Sequence, residues 1–376
     1  MRKELLPALA MRINRLPQLL ILILLVSCTE AKTRKNKIRL GVPPRTNFMH
    51  VFIAEEKGFF KKNGLDVELF QAENLSELYS EKKIDVICTG LTESIVFSSE
   101  GHETKIIYRF SDSFTTDIII AGSKIKDLGS LKKKKISFDG VNSSSHIFVQ
   151  QLLGKNGIQD GEYFTVNLPV NQVLAKLESG EIDAGHTTGV SLSEISKREW
   201  NIIGRSSDDP NLLSDTLSVD ANFLKTHISE INKLVQSLDE ANQFYSHNPK
   251  EAITIVANKI KKTDSEIKED LDGLRFLTLE ENQGTLKAPT EDMAKLNPQR
   301  IMQNEGPTIG LQEGPRMPGI VRPDERMDSN YKSKVAGLFT AGETIIRFLK
   351  ERGQIYRNPD LKTIIDDSFV KSVEAK

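Results

Sequence analysis

Four short turns in this chain concentrate side chains suited to holding a small polar molecule. They are Arg45-Thr46-Asn47-Phe48, Thr89-Gly90-Leu91-Thr92, Gly140-Val141-Asn142-Ser143-Ser144-Ser145 and Gly185-His186-Thr187-Thr188. Each follows a strand-like run and is rich in small donors at a helix start. There, side chains and unpaired backbone N–H groups can hold an anionic or strongly polar group without a formal counter-charge. A single turn of this kind is ordinary helix capping, for which Ser, Thr and Asn are preferred; four together point to a polar cleft. The candidate ligand-binding residues are therefore Thr46, Asn47, Phe48, Thr89, Gly90, Thr92, Asn142, Ser143, Ser144, His146, Thr187 and Thr188. Phe48, the aromatic of the first turn, either stacks on a planar solute or packs into the core.

His50, His146 and His186 each lie just after a strand, and three converging imidazoles would suit zinc. The simpler reading turns His50 and His146 toward core or solvent from their helices, so no metal and no cofactor is assigned. Cys88 ends an apolar strand and reads as a small buried residue rather than a reactive thiol. The chain contains no Gly-x-Ser-x-Gly elbow, no phosphate-binding Gly-Lys-Ser/Thr loop and no His-Glu-x-x-His pair.

The N-terminus indicates where such a cleft would work. Arg2, Lys3, Arg12 and Arg15 precede an apolar run from Leu16 that ends in Leu25-Val26-Ser27-Cys28. A positive segment, a short apolar segment and a small residue before the cut mark a removable secretory signal. A membrane span needs roughly 20 apolar residues, and this run, broken by Pro17 and Gln18, is shorter. Residues 1–27 are thus expected to be a signal peptide. The ending resembles the cleavage box of bacterial lipoproteins, which implies lipidation of Cys28 and a membrane-tethered chain on the periplasmic or extracellular side. Residues 28–36 read as a polar tether.

With 376 residues, 38% hydrophobic and 27% charged, the chain can bury one large core or two moderate ones. Loss of residues 1–27 removes four positive charges and Glu4, taking the formal charge from −1 to about −4. Nothing there attracts nucleic acid. Of two cysteines one is assigned to lipid, so no intrachain disulfide is expected.

The elements that must position the turns alternate. Strand-like Ile38–Val42, Leu65–Leu69 and Ile84–Cys88 are separated by helical Met49–Phe60 and Leu75–Lys82, and the pattern continues to about residue 220. Such alternation predicts an α/β fold with a parallel sheet, because parallel neighbours need a crossover. Beyond residue 220 the strands are expected to stop, and apolar spacing of three and four predicts helices over 222–227, 228–247, 249–258 and 264–274. Residues 285–334 are rich in Pro and Gly and read as an irregular insertion, followed by helix over 335–351.

Particular residues add a family resemblance. Pro44-Arg45-Thr46-Asn47-Phe48, then Val51-Phe52-Ile53-Ala54-Glu55-Glu56-Lys57-Gly58-Phe59-Phe60, then Gly64-Leu65-Asp66-Val67-Glu68-Leu69 resemble the SsuA/THI5-like (NMT1/THI5) solute-binding proteins of ABC importers. Leu128–Phe138, Ser143-Ser144-Ser145-His146, Glu178–Ala184 and Ile365-Asp366-Asp367-Ser368-Phe369 extend it. The resemblance implies a two-lobed type II periplasmic binding protein. Lobe 1 would take residues 37–120 and 215–376, and lobe 2 residues 121–214, with hinges near 115–120 and 214–219. It further implies a monomeric, lipid-anchored receptor that closes on a small solute of the sulfonate or taurine, nitrate or thiamine-precursor pyrimidine class and delivers it to an ABC permease and its ATPase. A sensory or surface lipoprotein that binds a partner without transport is the alternative. One branch of the family is enzymatic, consuming its own histidine with the help of a cysteine-rich loop. Here Phe48 stands at that position and cysteines are few, so the expectation is that the chain is not an enzyme.

Overall fold

The computed structural model describes residues 37–188, 190, 192–209, 212–289 and 337–373. The leader, Cys28, the tether and residues 290–336 of the Pro/Gly-rich segment lie outside the described residues.

Two sheets organise the chain. The first contains β1 (Lys37–Val42), β2 (Asp66–Gln71), β3 (Val86–Gly90), β4 (Thr104–Ser113), β10 (Ser214–Asp220) and β11 (Leu274–Phe276), in the order β11-β4-β10-β3-β1-β2. The second contains β5 (Asp117–Ala121), β6 (Lys135–Phe138), β7 (Phe164–Asn167), β8 (Ala184–Thr188) and β9 (Asn201–Arg205), in the order β7-β6-β8-β5-β9. Helix-linked neighbours are parallel, as in β1 with β2 and β3 and in β6 with β7 and β8. Helix α1 (Met49–Glu56) follows β1 and buries Met49 to Ala54.

The sheets are not purely parallel. β10 runs antiparallel to β3 and β4, and β5 antiparallel to β8 and β9. These two strands begin just after the chain passes from one lobe to the other, so no crossover helix sets their direction. The crossings are also shifted from those expected. β4 ends at Ser113 and β5 pairs wholly in the second sheet from Asp117, so the boundary expected at residue 120 falls inside β5.

Strands do not stop at residue 220 either. The helix expected over 264–274 ends at Leu271, and β11 follows. Gly273 is the reason: its carbonyl accepts from the N–H groups of both Phe114 (2.8 Å) and Thr115 (3.1 Å) in the first crossing. A Cβ there would lie 2.7 Å from the backbone N of Thr116, so only glycine lets the crossing pack this closely.

The other helices after residue 220 follow their apolar spacing. Helix α4 (Ile228–His247) buries Ile231, Leu234, Val235, Leu238 and Ala241 on one stripe, and α5 (Pro249–Ile260) starts with proline in its first turn. Helix α6 (Leu338–Glu351) returns the chain to the first lobe and buries Leu338, Ile345 and Leu349. Two further helices, α2 (Leu91–Ser99) and α3 (Ser144–Lys155), face each other across the gap between the lobes. No helix among the described residues is long and apolar enough to cross a membrane.

Candidate functional site

A cavity of about 500 Å³ opens between the lobes. Its walls come from the carboxyl ends of β1 and β3, the start of β10, and the turn before α3, where side chains from separate elements converge in α/β proteins.

The turn Gly140–Ser143 aims the start of α3 at this gap. Gly140 and Asn142 both take positive φ (131° and 66°), which Gly and Asn adopt most readily. Ser143 caps the helix, its Oγ accepting from the N–H of His146 at 3.1 Å. The next residue pairs with the other lobe. The N–H of Ser144 donates to Glu93 Oε1 at 2.7 Å, and its hydroxyl donates to Glu93 Oε2 at 2.7 Å. Glu93 projects from the first turn of α2, directly after Gly90. A Cβ at Gly90 would run into both Glu93 Oε2 and Ser144 Oγ, so glycine is what lets this carboxylate cross the gap.

Two more carboxylates are held by hydrogen bonds at the cavity wall. Asp215 accepts from Asn47 Nδ2 (2.8 Å) and Ser111 Oγ (2.7 Å), both on Oδ2. Burial pushes its carboxyl up to about 7, against the lowering effect of these two donors and with a further rise from Asp117 and Asp112. In the second lobe His186 lies between Asp117 and Ser145, with Nε2 2.6 Å from Asp117 Oδ1 and Nδ1 2.8 Å from Ser145 Oγ. The bond to Asp117 requires a proton on Nε2, so in the neutral ring Nδ1 accepts from the Ser145 hydroxyl. Asp139, beside them on the cavity wall, is raised by burial, partly offset by Arg45 and His186.

The structure brings eight of the candidate residues to the cavity. Asn47, Phe48, Thr89 and Gly90 line it from the first lobe, and Asn142, Ser143, Ser144 and Thr188 from the second. Phe48 is nearly buried and sits edge-on to Phe110 at 5.4 Å, so most of its ring serves the core.

Four others stand outside the wall. Thr46 is buried and donates to Asp270 Oδ2 at 2.5 Å. Thr92, in the first turn of α2, is buried, and its hydroxyl has no hydrogen-bond partner among the described residues. Thr187 points to the face of β8 opposite His186 and Thr188, as strand alternation requires. His146 packs on Phe138 with ring centroids 4.5 Å apart, and its Nδ1 accepts from the Asn142 N–H at 3.0 Å. Burial lowers His146 to about 4.

The three histidines occupy different surroundings. His50 is buried against Phe276 and Phe110 and lowered to about 3 by burial, His146 is in α3, and only His186 reaches the cavity. Among the described residues no group of three or more His, Cys, Asp or Glu side chains is placed to hold a metal ion. Cys88 is buried in β3, where burial pushes its thiol up, away from the reactive thiolate. Sequence reasoning missed Glu93, Asp117, Asp139, Ser145 and Asp215. Only Ser145 lay in a turn already singled out.

This two-lobed arrangement is that of type II periplasmic binding proteins. The aliphatic sulphonate binding protein SsuA of Escherichia coli superposes with a TM-score of 0.62 at 13% identity, covering 88% of this chain and 92% of that one. A ligand-binding component of an ABC-type import system from Staphylococcus aureus, solved with zinc bound, gives 0.63 at 12% identity, covering 90% and 99%. A family model described as NMT1/THI5 like matches residues 45–252, more than half of the chain. The chain belongs to the NMT1/THI5-like family.

A 4-amino-5-hydroxymethyl-2-methylpyrimidine phosphate synthase of Saccharomyces cerevisiae is 25% identical over 241 residues, spanning 58% of this chain and 69% of that protein. A synthase of the same name from Uromyces fabae is 30% identical over 156 residues, 40% of this chain and 44% of that protein. These relatives overturn the expectation that the chain is not an enzyme. Phe48 at one position and the scarcity of cysteines were too little to exclude an enzyme, since one fold can carry unrelated functions.

Proposed function

We propose that the chain is a receptor for a small polar or heteroaromatic solute, captured between its two lobes and passed to an ABC permease and its ATPase. The observation that carries this reading is the cavity of about 500 Å³ whose walls come from both lobes. A solute there touches both lobes only when they are closed, and that differential contact shifts the population toward closure. The Glu93–Ser144 bonds between α2 and α3 are further contacts that exist only with the lobes together. Lipidation at Cys28 would hold the receptor at the outer face of the cell membrane, near its permease.

The test is native mass spectrometry of the purified protein offered a mixture of small metabolites, with small-angle scattering to follow closure. Retention of a solute together with compaction supports the reading; binding without any change of shape removes hinge closure. Membrane fractionation of Cys28→Ser tests the anchor, with release from membranes expected.

The names of the curated relatives favour a second reading, in which the same cleft carries out chemistry on a pyrimidine precursor. Mass analysis of the protein and of a candidate pyrimidine precursor before and after incubation separates the two. Product formation or a permanent mass loss from the chain supports synthesis; unchanged masses with reversible binding support the receptor.

A further inference from the structure

We infer that the cleft selects solutes carrying positive charge, namely amines, amidines or protonated nitrogen heterocycles, and that Glu93 is the residue that turns oxyanions away. The inference rests on the reading of this cleft as a solute site and names the chemistry it accepts.

Two observations carry it. The first is the occupancy of α3. The start of a twelve-residue helix is a ready place for an anion, because its first N–H groups lack partners inside the helix and carry partial positive charge. In this protein the chain supplies that anion itself. Glu93 takes the Ser144 N–H and the Ser144 hydroxyl at 2.7 Å each, from the opposite lobe. A sulfonate, nitrate or phosphate entering here would have to displace a carboxylate fixed by two charge-assisted hydrogen bonds.

The second observation is the balance of charge around the cavity. Seven acidic side chains line it, Asp215 among them with its carboxyl pushed up to about 7 by burial, against a single guanidinium, the His186 imidazole and no lysine. The guanidinium, Arg45, is already paired with Glu73 at 3.2 Å. Asp139 has no hydrogen-bond partner for its carboxylate among the described residues and stands open to the cavity. Asp215 receives both of its donors on Oδ2, which leaves Oδ1 for another partner. An anion in this space would meet predominantly acidic walls, whereas an N–H donor bearing positive charge would meet the open carboxylate of Asp139 and favour the ionised form of Asp215.

The test uses two probes of equal ring size and opposite charge, benzamidine and benzenesulfonate, within a mixture that also contains choline, a protonated aminopyridine, nitrate and sulfate. Retention is read by native mass spectrometry and affinity by calorimetry. Wild type is expected to keep cations and reject anions, and Asp139→Asn to weaken the bound cation by about tenfold or more, the size of a lost hydrogen bond to a charge. Glu93→Ala is expected to gain affinity for sulfate, which wild type lacks. Glu93→Gln, which keeps the shape of the side chain, guards against misfolding and should be intermediate.

Preference of wild type for benzenesulfonate, nitrate or sulfate overturns the inference and leaves the receptor reading intact. So does a folded Glu93→Ala that gains nothing for sulfate. Retention of no small molecule by wild type or either Glu93 variant overturns both.

Discussion

The two lobes face one cleft but are built to different depths. In the first, β4 is buried along all but one of its ten residues, β1 and β3 are largely enclosed, and helices α1, α4 and α5 add a thick layer. In the second, edge strand β7 is mostly exposed, with Phe164 62% accessible, and a separate small cluster of Ile118, Ile120, Val173, Leu177, Ile182 and Ile195 covers one face of the sheet. By this difference the first lobe is the more heavily packed platform, and local opening should be cheaper in the second, where fewer buried apolar contacts resist it.

The largest effect should come from breaking the buried ion pair near the crossings. Arg109, fully buried, donates to Asp112 from Nε at 2.9 Å, and Ser214 also donates to that carboxylate. Arg109→Ala should cost about 3–5 kcal/mol by stranding Asp112, and urea unfolding should show one midpoint moved for the whole chain. If only the second lobe were destabilised, the platform assignment would be wrong.

Ile120→Ala empties part of the second lobe's own cluster and should cost about 3 kcal/mol. The single tryptophan, Trp200, packs against that cluster. Its fluorescence should therefore report an early transition ahead of the far-ultraviolet circular dichroism. Coincident transitions would mean that the lobes unfold together.

A smaller effect separates the lobes by pH. With Asp215 raised to about 7 from 3.8, the fold disfavours its ionised form. Its stabilising contribution is complete below about 4 and is lost as pH rises through about 7. His146, lowered to about 4, acts in the opposite sense: its contribution is present above 6.5 and is lost as pH falls toward 4. Comparing wild type with Asp215→Asn isolates the first. From pH 8 to pH 5 wild type should gain stability relative to the variant, and parallel pH profiles would refute the shift.

Thr92→Val should have the smallest effect and the opposite sign. The buried Thr92 hydroxyl has no partner among the described residues, so replacing it with a methyl should raise stability by about 1 kcal/mol. A loss of stability would show that the hydroxyl is paired after all.

The fold was legible because strands and helices alternate with short connections, and because runs such as Gly64–Leu69 pair a turn signal with a strand. What could not be read was which sheet a strand joins. Nothing local in Asp117–Ala121 or Ser214–Asp220 tells which sheet it joins, and only tertiary pairing places them on opposite sides of the crossings. The site was half legible. Hydroxyl-rich turns such as Asn142–Ser144 announce themselves locally. The carboxylates do not: Glu93 meets Ser144 across 51 positions and Asp215 meets Asn47 across 168, so no window of sequence contains the pair. Thr46 and Thr92 were misplaced for the reason that makes hydroxyls ambiguous, since they serve a buried partner or none as readily as a ligand.

The carbonyl of Gly273 has a kinetic consequence. It holds two successive amides of the first crossing, those of Phe114 and Thr115, so one contact protects both. The two should exchange with deuterium as a correlated pair, at the rate of whatever motion frees the crossing from the platform. The amide of Asp117, two residues on, donates to the Ser113 hydroxyl at 3.2 Å, a side chain that can rotate away, and should exchange well ahead of them.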